Sequence, residues 1–202
     1  MSLSKTVLIQ EHKATKSKII LTQMDENEIR HLIKLAQNPS LVDLMGWDTY
    51  FEVNDINEFI EAISENALPF SQQSKPIIFG IFLDVETLPI GYGVLKGLNK
   101  DLLTMETGVA ILDNKYRQGY GKLALARMMV YAFNELKIQS INATILASNT
   151  PSINMCKNLG FVIKKVMHNS WNMPNGDLVD MLWMELRRDN IKKQSIIGKQ
   201  LK

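Results

Sequence analysis

The sequence predicts an α/β fold of the α+β type, in which about six to seven strands and about four helices form one domain. Helical periodicities and strand-like runs alternate along the chain. Three successive strand candidates are joined by short connections, which predicts an antiparallel meander. A chain of 202 residues that is 46% hydrophobic can also bury a sizeable core in a single domain.

The first predicted elements are a strand and two helices. An apolar run predicts a strand at residues 18–24. Asp25 and Glu28 then have the spacing of a capping box, and the apolar residues after them recur at helical intervals, so a helix is predicted at about 26–37. A second periodic segment predicts a helix that ends near Asn66.

The rest of the domain is predicted to consist mainly of strands, at 76–84, 89–97, 102–112, 141–147, 161–170 and 178–186. Between them, residues 121–136 are apolar on more than one face, which predicts a helix buried against the sheet. Pro151 suits the first turn of a short helix that ends at Leu159 and Gly160. Residues 1–17 are predicted to be an N-terminal extension to the domain at 18–188, and residues 189–202 a basic, solvated tail.

Composition argues against several classes of protein. A formal net charge of +2 gives no overall field that would attract nucleic acid or an anionic membrane, and no apolar stretch approaches the length of a membrane span. The single cysteine, Cys156, excludes an intrachain disulfide and fits a reducing compartment, so a cytoplasmic location is predicted. The histidines have no companions at ligand spacing, so no metal is predicted.

The loop at residues 116–122 is predicted to hold phosphate, because two glycines and a helix N-terminus bring backbone amides to an anion. Residues 119–124 also fit a dinucleotide-binding fingerprint, but the following strand ends without the acidic residue that such a site needs. A nucleotide triphosphate loop is excluded because Leu123, after Lys122, takes the place of a hydroxyl residue.

Residues 106–133 and 149–161 together resemble the N-acetyltransferases of the GNAT superfamily. The first segment carries the Gly119-x-Gly121 loop, and the second has a leading Asn149 and a closing leucine, glycine and phenylalanine. The resemblance covers roughly residues 18–186 and is greatest to the branch that acetylates the N-termini of proteins, especially ribosomal proteins. It implies a three-layer fold with a central mixed, mostly antiparallel sheet, and acetyl-CoA as cosubstrate.

The resemblance also implies roles for individual residues. Loop amides would hold the pyrophosphate, the backbone at Ile111 and Leu112 would pair with the pantetheine arm, and Asn149 and Ser152 would flank the cofactor. The loop residues concerned are Tyr116, Arg117, Gln118, Gly119, Tyr120 and Gly121. Tyr116 replaces the usual glutamine or arginine of the family, so a side-chain contact to phosphate at that position is not implied.

Two residues are candidates for proton transfer. Glu106 lies on the strand that would line the substrate gap and is the candidate base, with a solvated or ion-paired structural carboxylate as the alternative. Cys156 takes the position of the tyrosine that in many members of the family protonates the leaving thiolate, but a lone cysteine on an apolar helix is more often a core residue. Trp47, Tyr50 and Phe51 could similarly line an acceptor site, although core packing is favoured for each.

Two hypotheses of different classes follow. The first is an acetyl-CoA-dependent N-acetyltransferase, for which a protein N-terminus is favoured over a polyamine, an antibiotic or another small amine. The second is a non-catalytic CoA-binding sensor that has kept the fold. The sequence leaves the acceptor amine open, and it leaves a homodimer open as well, because dimerisation depends on which strand edges and apolar patches are exposed.

Overall fold

The computed structural model describes residues 8–11, 18–38, 55–65, 74–112, 115, 117–173 and 175–201. The strands are β1 (Leu8–Glu11), β2 (Lys18–Thr22), β3 (Ile77–Leu83), β4 (Gly91–Asn99), β5 (Thr104–Ile111), β6 (Ser140–Leu146), β7 (Val162–Asn172) and β8 (Leu178–Arg187). The α-helices are α1 (Glu26–Ala36), α2 (Ile56–Ser64), α3 (Tyr120–Asn134) and α4 (Thr150–Leu159). Every predicted helix and strand is present. The additional strand, β1, lies within the predicted N-terminal extension.

The eight strands form one mixed sheet in the order β1-β2-β3-β4-β5-β6-β8-β7. All neighbouring pairs are antiparallel except β5 and β6, which are parallel. The predicted meander is therefore confirmed as β3-β4-β5. Helix α3 makes the crossover that a parallel pair requires. The mixed, mostly antiparallel sheet confirms the predicted fold class.

Helices cover both faces of the sheet and give the fold three layers. On one face, α1 and α2 pack against Tyr92, Val94, Ala110 and Leu112. Phe59 of α2 meets Tyr92 edge to face, with ring centroids 5.7 Å apart. On the other face, α3 and α4 pack against the larger core. Helix α3 is buried on several sides, as its apolar sequence predicts.

The expectation of a solvated C-terminal tail at 189–202 is wrong for residues 189–201, the part that the structure describes. Ile197 is fully buried in the larger core, and the Asn134 side-chain amide donates to the carbonyl of Gln200 at 3.0 Å. Gly198 allows the chain to pass close to itself, because a Cβ there would lie 2.2 Å from the carbonyl oxygen of Lys192. The isoleucines of this segment, Ile191, Ile196 and Ile197, belong to the larger core or pack against it, while Lys192, Lys193 and Lys199 are exposed.

Several residues singled out from the sequence lie outside the described part of the chain: Trp47, Tyr50, Phe51 and Tyr116. Among the helices that the structure describes, none is long and apolar enough to cross a membrane.

Candidate active site

A gap opens in the centre of the sheet between β5 and β6. These parallel strands pair only through residues 104–106 and 140–142, although β5 continues to Ile111 and β6 to Leu146. Strand β6 stays paired with β8 along its whole length. Beyond Glu106 and Asn142, the facing edges of β5 and β6 therefore have no ladder with each other, and the last pair, Glu106 and Asn142, forms the apex of the gap.

The direction of the β5 backbone groups determines which of them face this gap. In an antiparallel ladder, the N–H and C=O groups of alternate residues point to the same neighbouring strand. The amide of Leu112 donates to the carbonyl of Ile90, next to β4, at 2.9 Å. Ile111 pairs with Gly91, and Val109 with Gly93. By this alternation, Val109 and Ile111 present their backbone groups to the gap, whereas the Leu112 amide already has a partner on the other side.

The N-terminus of α3 lies at the mouth of the gap. Its N-cap is Gly119, with a left-handed φ of 93°, and within the described part of the chain this cap makes no side-chain hydrogen bond. A Cβ at Gly121 would lie 3.5 Å from Ile111 Cγ1 and 3.7 Å from Met155 Sδ, so this turn sits between the end of β5 and α4. Both are ordinary contact distances, and packing within the protein therefore does not require glycine at position 121.

The loop before α3 is anchored at its start. Lys115 forms an ion pair with Glu86, in the β3–β4 connection, with Nζ 2.7 Å from Oε1 and 2.9 Å from Oε2. Arg117 has a positive φ of 64°, and Arg117, Gln118 and Gly119 are exposed. This segment therefore presents backbone and side-chain donors to solvent in front of a helix N-terminus, which is a favourable arrangement for an anion.

Asn149 and Ser152 lie on the opposite side of the gap, after the end of β6. The Asn149 side-chain oxygen accepts a hydrogen bond from the Ser152 amide at 3.2 Å and so caps α4. The Asn149 amide donates to the carbonyl of Leu146 at 2.9 Å, and Asn149 is buried. These contacts hold Asn149 beside the gap and fix the orientation of its side-chain amide group.

Glu106, the predicted base, is only 2% exposed and lies at the apex of the gap. Its side chain lies on the α1 and α2 face of the sheet, since Ala110, four residues further along the strand, packs in that core. Directly opposite it on β4 is Lys96, whose Nζ donates to the carbonyls of Ile63, at 3.3 Å, and Glu65. Burial lowers the pKa of Lys96, and the charges of Glu106 and Glu65 partly oppose that shift.

Comparison of the chain with known protein families agrees with the geometry of the gap. The sequence pattern of the acetyltransferase (GNAT) domain family matches residues 18–162, more than half of the protein. The chain belongs to the GNAT acetyltransferases. It is 21% identical to an uncharacterised N-acetyltransferase, p20, of Bacillus licheniformis over 169 residues, which are 84% of this chain and 92% of p20.

Solved GNAT structures share the fold at low sequence identity. The spermidine N-acetyltransferase of Vibrio cholerae, in complex with CoA and spermine, has a TM-score of 0.70 and 18% identity, covering 85% of this chain and 96% of its own. A Vibrio cholerae structure described as that of a candidate ribosomal-protein-serine acetyltransferase has a TM-score of 0.68 and 19% identity, covering 90% and 97%.

As a GNAT acetyltransferase, the protein is an acyltransferase that uses acetyl-CoA. Its residues fit that cosubstrate. The exposed edge of β5 offers backbone groups to the amides of a pantetheine arm, and the helix terminus without a side-chain cap offers amides to a pyrophosphate. Gly121 leaves the first turn of α3 without a side chain between Ile111 and Met155, which would let a ligand approach the backbone of this turn closely. Among the described residues, no group of three or more His, Cys, Asp or Glu side chains could hold a metal ion.

Cys156 is part of the core of this acetyltransferase. It lies on α4, is 2% exposed and belongs to the same cluster as the buried face of α3. Burial raises the pKa of its thiol to about 12, so the thiol is protonated at neutral pH. A protonated, enclosed thiol is neither a nucleophile nor a base.

Sequence reasoning placed Glu106 on the strand that borders the gap, but it did not consider Lys96 or Val109, which the structure places beside Glu106 and along the same edge. The pairing of Lys96 with Glu106 depends on the strand register, which an irregularity between Lys96 and Asn99 shifts. The direction of the Val109 backbone groups follows from the period of two along β5, which could have been applied to the sequence once Ile111 was chosen.

Proposed function

We propose that this enzyme acetylates the α-amino group of a protein N-terminus, by direct transfer of the acetyl group of acetyl-CoA to the amine, with Glu106 as the proton acceptor. The position of Glu106 carries the proposal. It is a buried carboxylate at the apex of the gap, where β5 and β6 separate. A carboxylate held there can take a proton from an amine, directly or through one water molecule.

The acceptor class follows from the cost of making the amine neutral. At pH 7, deprotonating an α-amino group with a pKa of about 7.7 to 8.0 costs about 1 to 1.4 kcal/mol, whereas a lysine-like amine costs about 4.6 kcal/mol. An N-terminal amine therefore requires only a weak base. A carboxylate is a weak base, and Glu106 is the carboxylate at the apex of the gap.

The cosubstrate would be held by backbone groups on both sides of the gap. In this proposal, Val109 and Ile111 pair with the pantetheine arm, and the amides of residues 116–121 bind the pyrophosphate. Leu112 is not among the residues proposed to donate an amide hydrogen bond to the pantetheine arm, because its amide already donates to the carbonyl of Ile90. Asn149 and Ser152 would border the cofactor from the α4 side.

The structural relatives favour two kinds of acceptor. One is described as a candidate ribosomal-protein-serine acetyltransferase, which supports a protein acceptor, and another is a spermidine N-acetyltransferase, which makes a polyamine the second candidate. Cys156 is the candidate acid that would return a proton to the thiolate, but its burial in the core favours a structural role instead. A Cys156→Ser variant that keeps the wild-type kcat would support that assignment.

The first experiment is a thiol-release assay with acetyl-CoA and a panel of peptides that differ in their N-terminal residue, together with polyamines and aminoglycosides. Calorimetric titration with CoA is the control for cofactor binding. We expect turnover with one or more of the peptides. Turnover confined to polyamines or aminoglycosides would replace the protein acceptor by a small amine, and CoA binding without any turnover would contradict the proposal.

The role of Glu106 is tested by comparing Glu106→Gln with Glu185→Gln. Glu185 is a matched control: it is on β8, opposite Asn142 in the sheet, and its carboxylate accepts from the Ser140 hydroxyl at 2.8 Å. We expect Glu106→Gln to lower kcat by about 100-fold or more, within the usual contribution of a general base, without changing CoA affinity. Equal losses in the two variants would argue against a specific role for Glu106.

A homodimer and a cytoplasmic location stay predictions. The edge strand β7 exposes Val162, Ile163 and Val166, and such an edge is a candidate surface for pairing with a second chain. Light scattering at two protein concentrations would test the dimer, because a monomeric mass at both would contradict it.

A further inference from the structure

The loop before α3 is attached to the connection between β3 and β4 by a backbone hydrogen bond and an ion pair. The Leu112 amide donates to the carbonyl of Ile90 at 2.9 Å. Further along the loop, Lys115 Nζ lies 2.7 Å from Oε1 and 2.9 Å from Oε2 of Glu86. The Glu86 amide in turn donates to the carbonyl of Leu83, at the end of β3, at 3.0 Å. The ion pair therefore joins the start of the loop to the central sheet.

The backbone after Lys115 takes a conformation that few residues favour. Arg117 has a φ of 64°, in the left-handed region that residues with a Cβ seldom adopt. Gly119, with a φ of 93°, follows as the N-cap of α3. A left-handed residue other than glycine persists where the surrounding structure holds it in place. Shortly before Arg117, the ion pair of Lys115 with Glu86 provides such a restraint.

The charge of Glu86 does not by itself explain its place beside this loop. The side chains of Lys115 and Glu86 are 25% and 32% exposed, and an ion pair this exposed adds little to stability. A carboxylate near a loop that binds pyrophosphate also repels that ligand. Glu86 can therefore favour CoA binding only through its contact with Lys115, and the effects of its contact and of its charge on CoA affinity have opposite signs.

We propose that Glu86 is a positioning residue for the binding of acetyl-CoA. Through Lys115 it holds the loop before α3 in the conformation that presents backbone amides to the pyrophosphate. This inference rests on the proposed function in one respect, the placement of the pyrophosphate at this loop, and it depends neither on the acceptor nor on Glu106. A loop that is already ordered before the ligand arrives lowers the entropy cost of binding, so the contribution of Glu86 is to CoA affinity.

The test is the CoA affinity of Glu86→Ala, measured by calorimetry. We expect the Kd to rise about three- to fivefold, the range that the loss of one exposed ion pair allows. If Glu86 acted only through its charge, removal of the carboxylate would tighten CoA binding instead. Asp84→Ala is the matched control, because Asp84 is an exposed carboxylate of the same connection, while Lys115 pairs with Glu86. This control removes the same charge and keeps the ion pair, so the Kd should stay unchanged or fall slightly.

A double-mutant cycle separates the effect of the contact from the effect of the charge. Lys115→Ala should also weaken CoA binding, because it breaks the same contact and removes a positive charge. In the Lys115→Ala background the ion pair is already absent, so Glu86→Ala should cause no further rise of the Kd. A further rise of the same size in this background would mean that Glu86 acts without Lys115, and the inference would fail.

A truncated ligand distinguishes positioning from a general loss of structure. Pantetheine carries the arm of CoA without the pyrophosphate, and its Kd can be obtained from competition with CoA in the calorimeter. We expect Glu86→Ala to change neither the Kd of pantetheine nor the melting temperature of the ligand-free protein. Equal weakening of both ligands, or a Kd for CoA that is unchanged or lower, would overturn the inference.

These measurements need no acceptor, so they decide the inference even if the peptide panel gives no turnover and the proposed acceptor is wrong. The placement of the pyrophosphate is checked separately by Gly121→Asp, which adds a carboxylate to the first turn of α3. If Gly121→Asp weakens CoA binding and Glu86→Ala does not, the placement stands and the role of Glu86 is excluded. If neither variant weakens binding, the placement and the inference both fail.

Discussion

The N-termini of α1 and α3 differ in how the backbone amides of the first turn are hydrogen-bonded. At α1, the Glu28 amide donates to Asp25 Oδ1 at 2.9 Å and the Asp25 amide donates to Glu28 Oε2 at 2.7 Å. At α3, the N-cap is Gly119, and among the described residues this cap makes no side-chain hydrogen bond. The protein therefore closes the end of α1 with its own carboxylates and leaves the end of α3 for another acceptor.

This difference separates stability from binding. Helices α2 and α4 are also capped, by Asp55 and Asn149, so α3 is the exception among the α-helices that the structure describes. A cap at α3 would stabilise the helix by about 1 kcal/mol, and the sequence does without it. The comparison teaches that the α-helix N-terminus without a side-chain cap is the one that faces the gap, where an anionic ligand can take the place of the cap.

The largest effect is expected from Gly121→Asp, which makes α3 resemble α1. An acidic side chain in the first turn favours the helix dipole, and the new Cβ fits at ordinary contact distances, so stability should stay the same or rise by about 0.3 to 1 kcal/mol. The same carboxylate repels a pyrophosphate. We expect calorimetry to show CoA binding weakened by about 100-fold or more, about 2.7 kcal/mol.

The control for that variant is Gly121→Ala, which adds the Cβ without a charge. It should be at least as stable as the wild type, because alanine is favoured over glycine inside a helix. Its loss of CoA affinity should be smaller than that of the aspartate variant. Unchanged affinity in both variants would show that the first turn of α3 does not contact the ligand.

A smaller effect is expected at Asn149, which combines a cap with a position beside the gap. Asn149→Asp keeps the oxygen that accepts from Ser152, so the melting temperature should hold, while loss of the side-chain amide donor should weaken CoA binding about tenfold. Asn149→Ala should lose both the cap and the affinity. If the aspartate variant binds CoA like the wild type, Asn149 serves α4 alone.

At α1 the expected change is in stability only. Asp25→Ala removes the acceptor for the Glu28 amide and should destabilise the protein by about 1 kcal/mol, which for a chain of this size lowers the melting temperature by about 2 to 4 °C. CoA affinity, measured by the same calorimetry, should not change. A loss of affinity here would mean that α1 and the gap are coupled, and the contrast with α3 would no longer hold.

The smallest effect is expected from Glu28→Gln. The glutamine oxygen can still accept from the Asp25 amide, so the capping box survives and only the charge near the helix N-terminus is lost. Urea unfolding should give a change of no more than about 0.5 kcal/mol. A cost as large as that of Asp25→Ala would indicate that charge, and not hydrogen bonding, dominates this terminus.

The sequence predicts the helices, the strands from 18 onward and the loop before α3, because periodicity, caps and glycines are local signals. It does not predict β1, whose four residues are too few for a periodic pattern. It places the backbone contact at Ile111 and Leu112, whereas ladder alternation favours Val109 and Ile111, since a shift of one residue reverses the direction of every group.

Long-range packing explains the remaining differences. The C-terminal segment looked solvated because of its lysines, yet Ile197 between them is fully buried. The pairing of Lys96 with Glu106 joins two strands across a turn and an irregular register, and no local pattern reports it. Helix caps and loop glycines can thus be predicted from neighbouring residues in the sequence. The partner of a charged side chain can be identified only once the fold is known.

The short pairing between β5 and β6 has a thermodynamic consequence. Only residues 104–106 and 140–142 join the two parts of the sheet by strand pairing. A ligand that bonds to Val109 and Ile111 extends the sheet into the gap and binds the folded chain alone. At a free concentration of about 100 times its Kd, such a ligand adds about 2.7 kcal/mol to the free energy of unfolding. The resistance of this enzyme to heat or proteolysis should therefore follow the supply of its own cosubstrate.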